Sequence, residues 1–535
     1  MVKQEPRSPP TIYVRRSSGL IRTISGRSAL IANLVGMGIL VNIFWVYYAS
    51  AFYPNADLPS TVFIGMALNL LIAFVYWMLA TAMPRTGGDY VYVSRIFHPA
   101  VGFMENLMFV VLMITWAGLF PQLIGAQALQ MMFANLYMVT GNNYYLSVAQ
   151  WLTDPNAQFI VGFVILTIVI ALMFLPVKWI FRIVTGLFAV QAIIYIWFIA
   201  VLAMTPHQAF INAFNAKMGS GAYDSILNAA KNAGVDWTIT AEGTFIGIVY
   251  TMLSYIGYAN SAYFAGEVKG DPKSAQGLAI FAAPIIFAVI IYILYSMIYY
   301  TFGHDFLVAA SSLAINGNSA WNLPAGASPA FLVSFISDNP IFVAAVPFGL
   351  VLTFFGFALV YFFVPTRNIF AYAFDRILPP SLAQVNKYGV PWLTVIIYGI
   401  IAYISLYITV YTTYFSYLAY ANFGWWLSVA IVMFAGAAFP FVKKDIFNSS
   451  PSIVKKKIGS VPVITIVGIV GGILSLWVSY STILPSFFGA PINPVYIASI
   501  IFVYVVALII YAISYYVQKA KGIPVELVGK ELPPT

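Results

Sequence analysis

The stretch Thr251–Lys273, TMLSYIGYANSAYFAGEVKGDPK, decides the fold. It continues an apolar run that opens near Gly243, yet Ser254-Tyr255-Ile256-Gly257-Tyr258 sits at the centre of that run. A glycine beside a hydroxyl at bilayer depth is where a membrane helix can unwind. Lipid tolerates the freed backbone only where it lines a cavity. The run closes on a charged elbow, Glu267-Val268-Lys269-Gly270-Asp271-Pro272-Lys273. A broken helix whose half-helix ends face a midplane cavity is the sign of a secondary transporter.

Composition agrees. Of 535 residues 61% are hydrophobic and 8% charged, against about 25% charged in soluble proteins, and mean hydropathy is +0.89. The class is a polytopic membrane protein. The absence of cysteine excludes disulfides, iron–sulfur clusters and thiol catalysis, and fits a heat-adapted prokaryote. No cleavable signal peptide is expected: the first 27 residues are polar and basic, and the run Ala29–Ala51 is long enough to span as an uncleaved anchor.

Taking roughly 20 apolar residues per crossing, spans are expected near 29–51, 60–82, 104–133, 157–176, 183–204, 243–266, 278–302, 341–364, 391–412, 415–439, 461–485 and 494–517. With the N-terminus inside, all of the 25 Lys and Arg except Lys217 and Lys231 fall on the cytoplasmic side. That asymmetry predicts a cell-membrane protein with both termini cytoplasmic, and it accounts for the net charge of +9 without nucleic acid. Arg15-Arg16 and Lys455-Lys456-Lys457 read as orientation signals on solvated segments, with anionic lipid as the other candidate partner. Trp45, Trp151, Trp321, Trp392 and Trp425-Trp426 read as interfacial anchors. Two long outer connections, 205–241 and 304–340, are expected to be loops covering the substrate vestibule.

The first span repeats the anomaly of the sixth. Asn33-Leu34-Val35-Gly36-Met37-Gly38-Ile39 sets two glycines two positions apart. A small-residue packing face would explain one such run. Its recurrence at the head of the second block of five points instead to two inverted halves, each opening with a discontinuous helix. The expected organisation is a cytoplasmic tail (1–27), a first five-helix repeat (28–204), the connection 205–241, and a second repeat (242–440) containing 304–340. Two further helices and a tail (441–535) complete it.

Three segments carry a family resemblance. Met83-Pro84-Arg85-Thr86-Gly87-Gly88-Asp89-Tyr90-Val91-Tyr92 resembles the P-x-x-G-G-x-Y-x-Y loop of the amino acid–polyamine–organocation permeases. Glu267–Lys273 is similar to their E-V-K-N-P elbow, with Gly-Asp replacing Asn. The run from Thr366 to Pro379, with Pro391-Trp392, resembles the segment after their eighth helix. The chain is identified as a prokaryotic, archaeal-type member. The resemblance implies an all-α fold of twelve transmembrane helices, a five-plus-five inverted repeat with discontinuous helices 1 and 6.

It also implies a site. The outer half of helix 1 would present the N–H groups of Gly38, Ile39 and Leu40 to a carboxylate. The carbonyls of Ser254 and Tyr255, with those of Leu34 and Val35, would take an ammonium. The expected substrate-binding set is Val35, Gly36, Met37, Gly38, Ile39, Ser254, Tyr255, Ile256, Gly257 and Tyr258, joined by Thr115 and Leu119 through alignment with the family.

No ionisable residue lies inside a span as drawn, with Glu105 and Glu242 at edges. His98, His207 and His304 are too scattered for a metal site, and no cofactor or metal is expected. Arg85, Arg95, Glu267 and Lys273 are candidates for a gate of salt bridges. A membrane enzyme would need clustered catalytic groups at depth, a channel a filter or charged ring, and a pump a nucleotide-binding loop. None is visible. The reading is therefore an alternating-access permease, not an enzyme, for neutral or apolar amino acids, its partners being an amino acid substrate and lipid. A proton-coupled carrier of cationic amino acids or polyamines is the alternative, and a channel the alternative of another class. Sodium-coupled relatives use paired hydroxyls on helix 8, where this chain offers Thr353. Others place a lysine on helix 5, where alignment puts Gln191. Sodium-independent exchange or facilitated diffusion is expected, with proton coupling through a loop carboxylate as the fallback.

Overall fold

The computed structural model describes residues 19–412, 415–484, 492–529 and 532. Arg15 and Arg16 lie outside them. Among the described residues, eleven helices are long and apolar enough to cross a membrane. They coincide with every expected span except the sixth. That one is divided: its first helix, Ala241–Ser254, has only 14 residues and gives way to turns before a short helix Asn260–Tyr263. The first span is likewise two pieces, Gly26–Met37 and Val41–Phe52.

Several boundaries move, for physical reasons. The third span runs from Pro99 to Leu123, widens into a π-helical turn over Ile124–Leu129 and continues to Thr140. Pro121 inside it removes one backbone donor. The fifth span is Val177–Ala203. The eighth, Pro340–Phe374, is the longest uninterrupted α-helix among the described residues, and its extra turns carry Arg367 inside the helix. Glu105 also lies within the third span and is fully buried. The spans are therefore not free of ionisable groups as expected.

The two long connections fold into helices rather than loops. Residues 205–241 form His207–Met218 and Ala222–Asn232; residues 304–340 form His304–Ile315 and Pro329–Ile336. They pack on one another through Phe210 and Phe306 (ring centroids 5.1 Å apart) and Phe214 and Phe335 (4.7 Å). Lys217 joins them, its Nζ 2.7 Å from both the Ser334 carbonyl and Asp338. Aromatic packing of this kind outweighs the half-exposed ion pair, which contributes under about 1 kcal/mol.

Both ends of the described chain lie on one face. The segment before the first span bridges the end of the sixth: the N–H groups of Thr23 and Ile24 donate to the Glu267 carbonyl (3.0 and 3.1 Å), and Lys269 N–H returns to Ile24 (2.7 Å). Past the twelfth span, Lys443 donates to the Gly529 carbonyl, and Gly529 sits against Ser94 and Pro99.

Candidate functional site

The two interrupted helices meet at their breaks. Gly38 takes φ +70° and Gly257 φ +122°, regions that side-chain-bearing residues avoid. At Gly257 a Cβ would stand 2.6 Å from the carbonyl carbon and oxygen of Gly36, so contact between the breaks is backbone on backbone. At Gly38 a Cβ would collide with the Phe357 ring at 2.2 Å.

Side chains from outside the breaks satisfy the freed backbone. Asn33 donates to the carbonyls of Tyr258 and Ala279, the latter at 2.7 Å, and accepts from Ser261 N–H at 2.9 Å. The Tyr361 hydroxyl, from the eighth span, lies against two carbonyls, Gly36 of the first break and Ile256 of the sixth (3.3 Å). Asn42 holds the Gly38 carbonyl at 2.9 Å and is itself held by Tyr295 at 2.9 Å. Tyr361→Phe is therefore expected to lower unfolding stability by about 1–3 kcal/mol, since a buried acceptor loses its donor. Thermal unfolding in detergent reads this, and an unchanged midpoint would count against the bridging role.

Beside the breaks is a cavity of about 100 Å³. Gly36, Met37, Leu119, Ser254 and Ile256 of the expected set line it, with Leu253. Thr115 does not: its hydroxyl turns back to the Leu112 carbonyl at 2.6 Å. Tyr255 points its hydroxyl to Val62 (2.8 Å). Val35, Gly38, Ile39, Gly257 and Tyr258 shape the breaks without lining the space. Three expected backbone groups are already engaged. Gly38 N–H closes on Leu34 O at 3.0 Å, and Tyr255 O accepts from Tyr258 N–H at 3.4 Å. Ile39 and Leu40 remain at the opening of the second half-helix, where N–H groups have no earlier helical carbonyl.

Sequence reasoning missed most of the walls. Trp45, Tyr48, Phe120, Phe357, Tyr361 and Asn422 come from the first, third, eighth and tenth spans. Trp45, expected at an interface, is a wall of the cavity. The signal available was aromatic density on the eighth span around Phe354, Phe355 and Phe357. No lining residue carries a formal charge.

On the side toward the chain ends, a charged layer closes the bundle. Arg367 grips Glu267 through Nε and Nη2 at 2.9 and 3.1 Å, with both side chains all but inaccessible. Arg95 pairs with Asp375 at 2.7 Å, and Tyr90 donates to the same carboxylate at 2.7 Å. The expected gate residues Glu267 and Arg95 thus take partners on the eighth span and its end, not each other. Lys273 contributes its carbonyl to Trp77 (2.9 Å), and Arg85 is half-buried against Pro84. The two residues proposed for coupling also meet: the Thr353 hydroxyl is 3.1 Å from Gln191 Oε1.

The family profile described as "Amino acid permease" matches residues 26–512, nearly the whole chain. The chain belongs to the amino acid permease family. With eleven helices among its described residues long and apolar enough to cross a membrane, the permease is a multi-pass membrane protein. It also resembles "Uncharacterized protein 399" of Sulfolobus islandicus rod-shaped virus 1. The two are 32% identical over 83 residues, 16% of the permease and 21% of the viral protein, so the match spans about a fifth of that relative.

Proposed function

We propose that the permease carries neutral, apolar amino acids by alternating access around the two broken helices, in a twelve-helix inverted-repeat fold. The observation that carries this reading is the cavity itself: it adjoins both breaks and has aromatic and aliphatic walls with no charged side chain. A zwitterion could place its carboxylate at the half-helix opened by Ile39 and Leu40, where the dipole is positive. An apolar side chain would then fall among Trp116, Phe120 and Phe357. An uncompensated cationic side chain would be penalised there, although aromatic faces offer it partial relief.

The face that bears the chain ends is taken as cytoplasmic, from the distribution of Lys and Arg. On this reading, closure of the charged layer on that face makes the state one shut toward the cytoplasm. Binding of a panel of labelled amino acids to purified protein tests the substrate class, with leucine-like side chains expected to bind tightest. Selective binding of arginine or a polyamine would overturn it.

Coupling to sodium is not expected. Sodium requires several oxygen ligands to replace its hydration shell. Here the single hydroxyl of Thr353 is engaged with Gln191 and with the Gly349 carbonyl at 2.9 Å. In proteoliposomes, replacing sodium by potassium should leave uptake unchanged, and accumulation driven by a sodium gradient alone would refute the proposal.

A further inference from the structure

Glu105 stands apart from the ion pairs. It lies in the third span, has no accessible surface, and neither carboxyl oxygen has a hydrogen-bond partner among the described residues. The titratable groups facing it are Asp89, Tyr76, Tyr263, Tyr372 and Tyr504. None is a cation. Asp89 already collects the hydroxyls of Tyr76 (2.9 Å) and Tyr263 (2.8 Å), the Tyr90 N–H (3.0 Å) and the Asn106 amide. Arg95 and Arg367 are engaged by Asp375 and Glu267. An ionised carboxylate with no partner in a dry interior is so costly that such a group neutralises instead.

We propose that the Glu105 carboxyl is a proton-binding site of the transport cycle, occupied while the charged layer is closed and emptied when it opens. The inference rests on the permease reading for what the cycle moves. Tyr372 links the two features. It lies on the eighth span between Arg367 and Asp375, and its hydroxyl donates to Asn106, the neighbour of Glu105. Parting the ion pairs therefore strips the cover from Glu105 and admits water. The O–H bond then breaks, the proton passes to water on that face, and the carboxylate remains, solvated. Closure reverses the step. Because the closed state holds one more proton than the open one, falling pH favours closure, by up to about tenfold per pH unit.

The test uses the full chain in proteoliposomes with equal pH on both sides. Counterflow of the amino acid bound tightest in the panel is followed as pH is varied. Wild-type exchange should slow toward acid. E105Q cannot ionise and should give a flat profile at the wild type's acid level, while E105D should restore the slope. A second readout needs no substrate: difference infrared spectra should show the carbonyl stretch of a neutral carboxylic acid in wild type, missing in E105Q. A wild-type slope in E105Q, or an unchanged infrared band, overturns the assignment. If no amino acid binds or exchanges, the permease proposal fails, and the infrared band still decides Glu105.

Discussion

Replacing Arg367 by alanine should cost the permease about 3–5 kcal/mol of stability, because it strands the Glu267 carboxylate without a partner in a dry interior. Both side chains of the pair are essentially inaccessible, and the guanidinium also lies 3.6 Å from the centre of the Phe363 ring. Removing both charges is a different experiment. R367M combined with E267L leaves no bare ion and should recover most of the loss, since a buried pair is often no more stabilising than apolar residues of similar volume. Function should separate the two cases further. Without the pair, the layer opens more readily, and cysteines introduced below the cavity should become labelled from the face of the chain ends even in the well-folded double variant. Thermal unfolding and labelling rates measure these effects. If R367A unfolds like wild type, the pair contributes nothing to closure.

Gly257→Val should be nearly as severe, through backbone rather than charge. Its φ of +122° is strained for any residue with a Cβ, at about 1–3 kcal/mol. The new Cβ would also press on the Gly36 carbonyl, which cannot rotate away as a side-chain tip can. The two breaks must move apart, and the cavity between them changes shape. The contact with Gly36 adds a folding cost. A rise in substrate Kd of tenfold or more, equivalent to at least about 1.4 kcal/mol, is expected together with a lower unfolding midpoint. Gly38→Val carries backbone strain of the same kind at φ +70°, and because its Cβ meets the Phe357 ring, a cavity wall, affinity should fall with it. A G257V protein with wild-type affinity would place the site elsewhere.

What could be read in the chain beforehand followed local chemistry. Both breaks were legible because glycine at bilayer depth has a conformational meaning of its own, and the hydrophobic runs located the crossings. The walls of the cavity were not legible. Trp45, Phe120, Phe357 and Tyr361 are ordinary apolar-helix residues until the eighth span is laid against the first and third. The same holds for the ion pairs. Arg367 and Glu267 are 100 residues apart, and a charge at the end of a span looks alike in sequence whether water or a buried partner receives it. The long connections misled for another reason: their helices have only 8 to 12 residues, too short to register as crossings, and it is the phenylalanines at Phe210, Phe214, Phe306 and Phe335 that fold them.

Asn33 gives the two interruptions a shared mechanics. Its single amide group replaces, between two helices, the hydrogen bonds that an unbroken helix would have made within itself. The first and sixth helices are therefore spliced at that point, so that a tilt imposed on one half-helix is carried across to the other as torque. Breeding a new substrate preference into this scaffold by altering one helix alone would meet resistance from its twin. Paired changes, one on each side of the splice, are the shorter route.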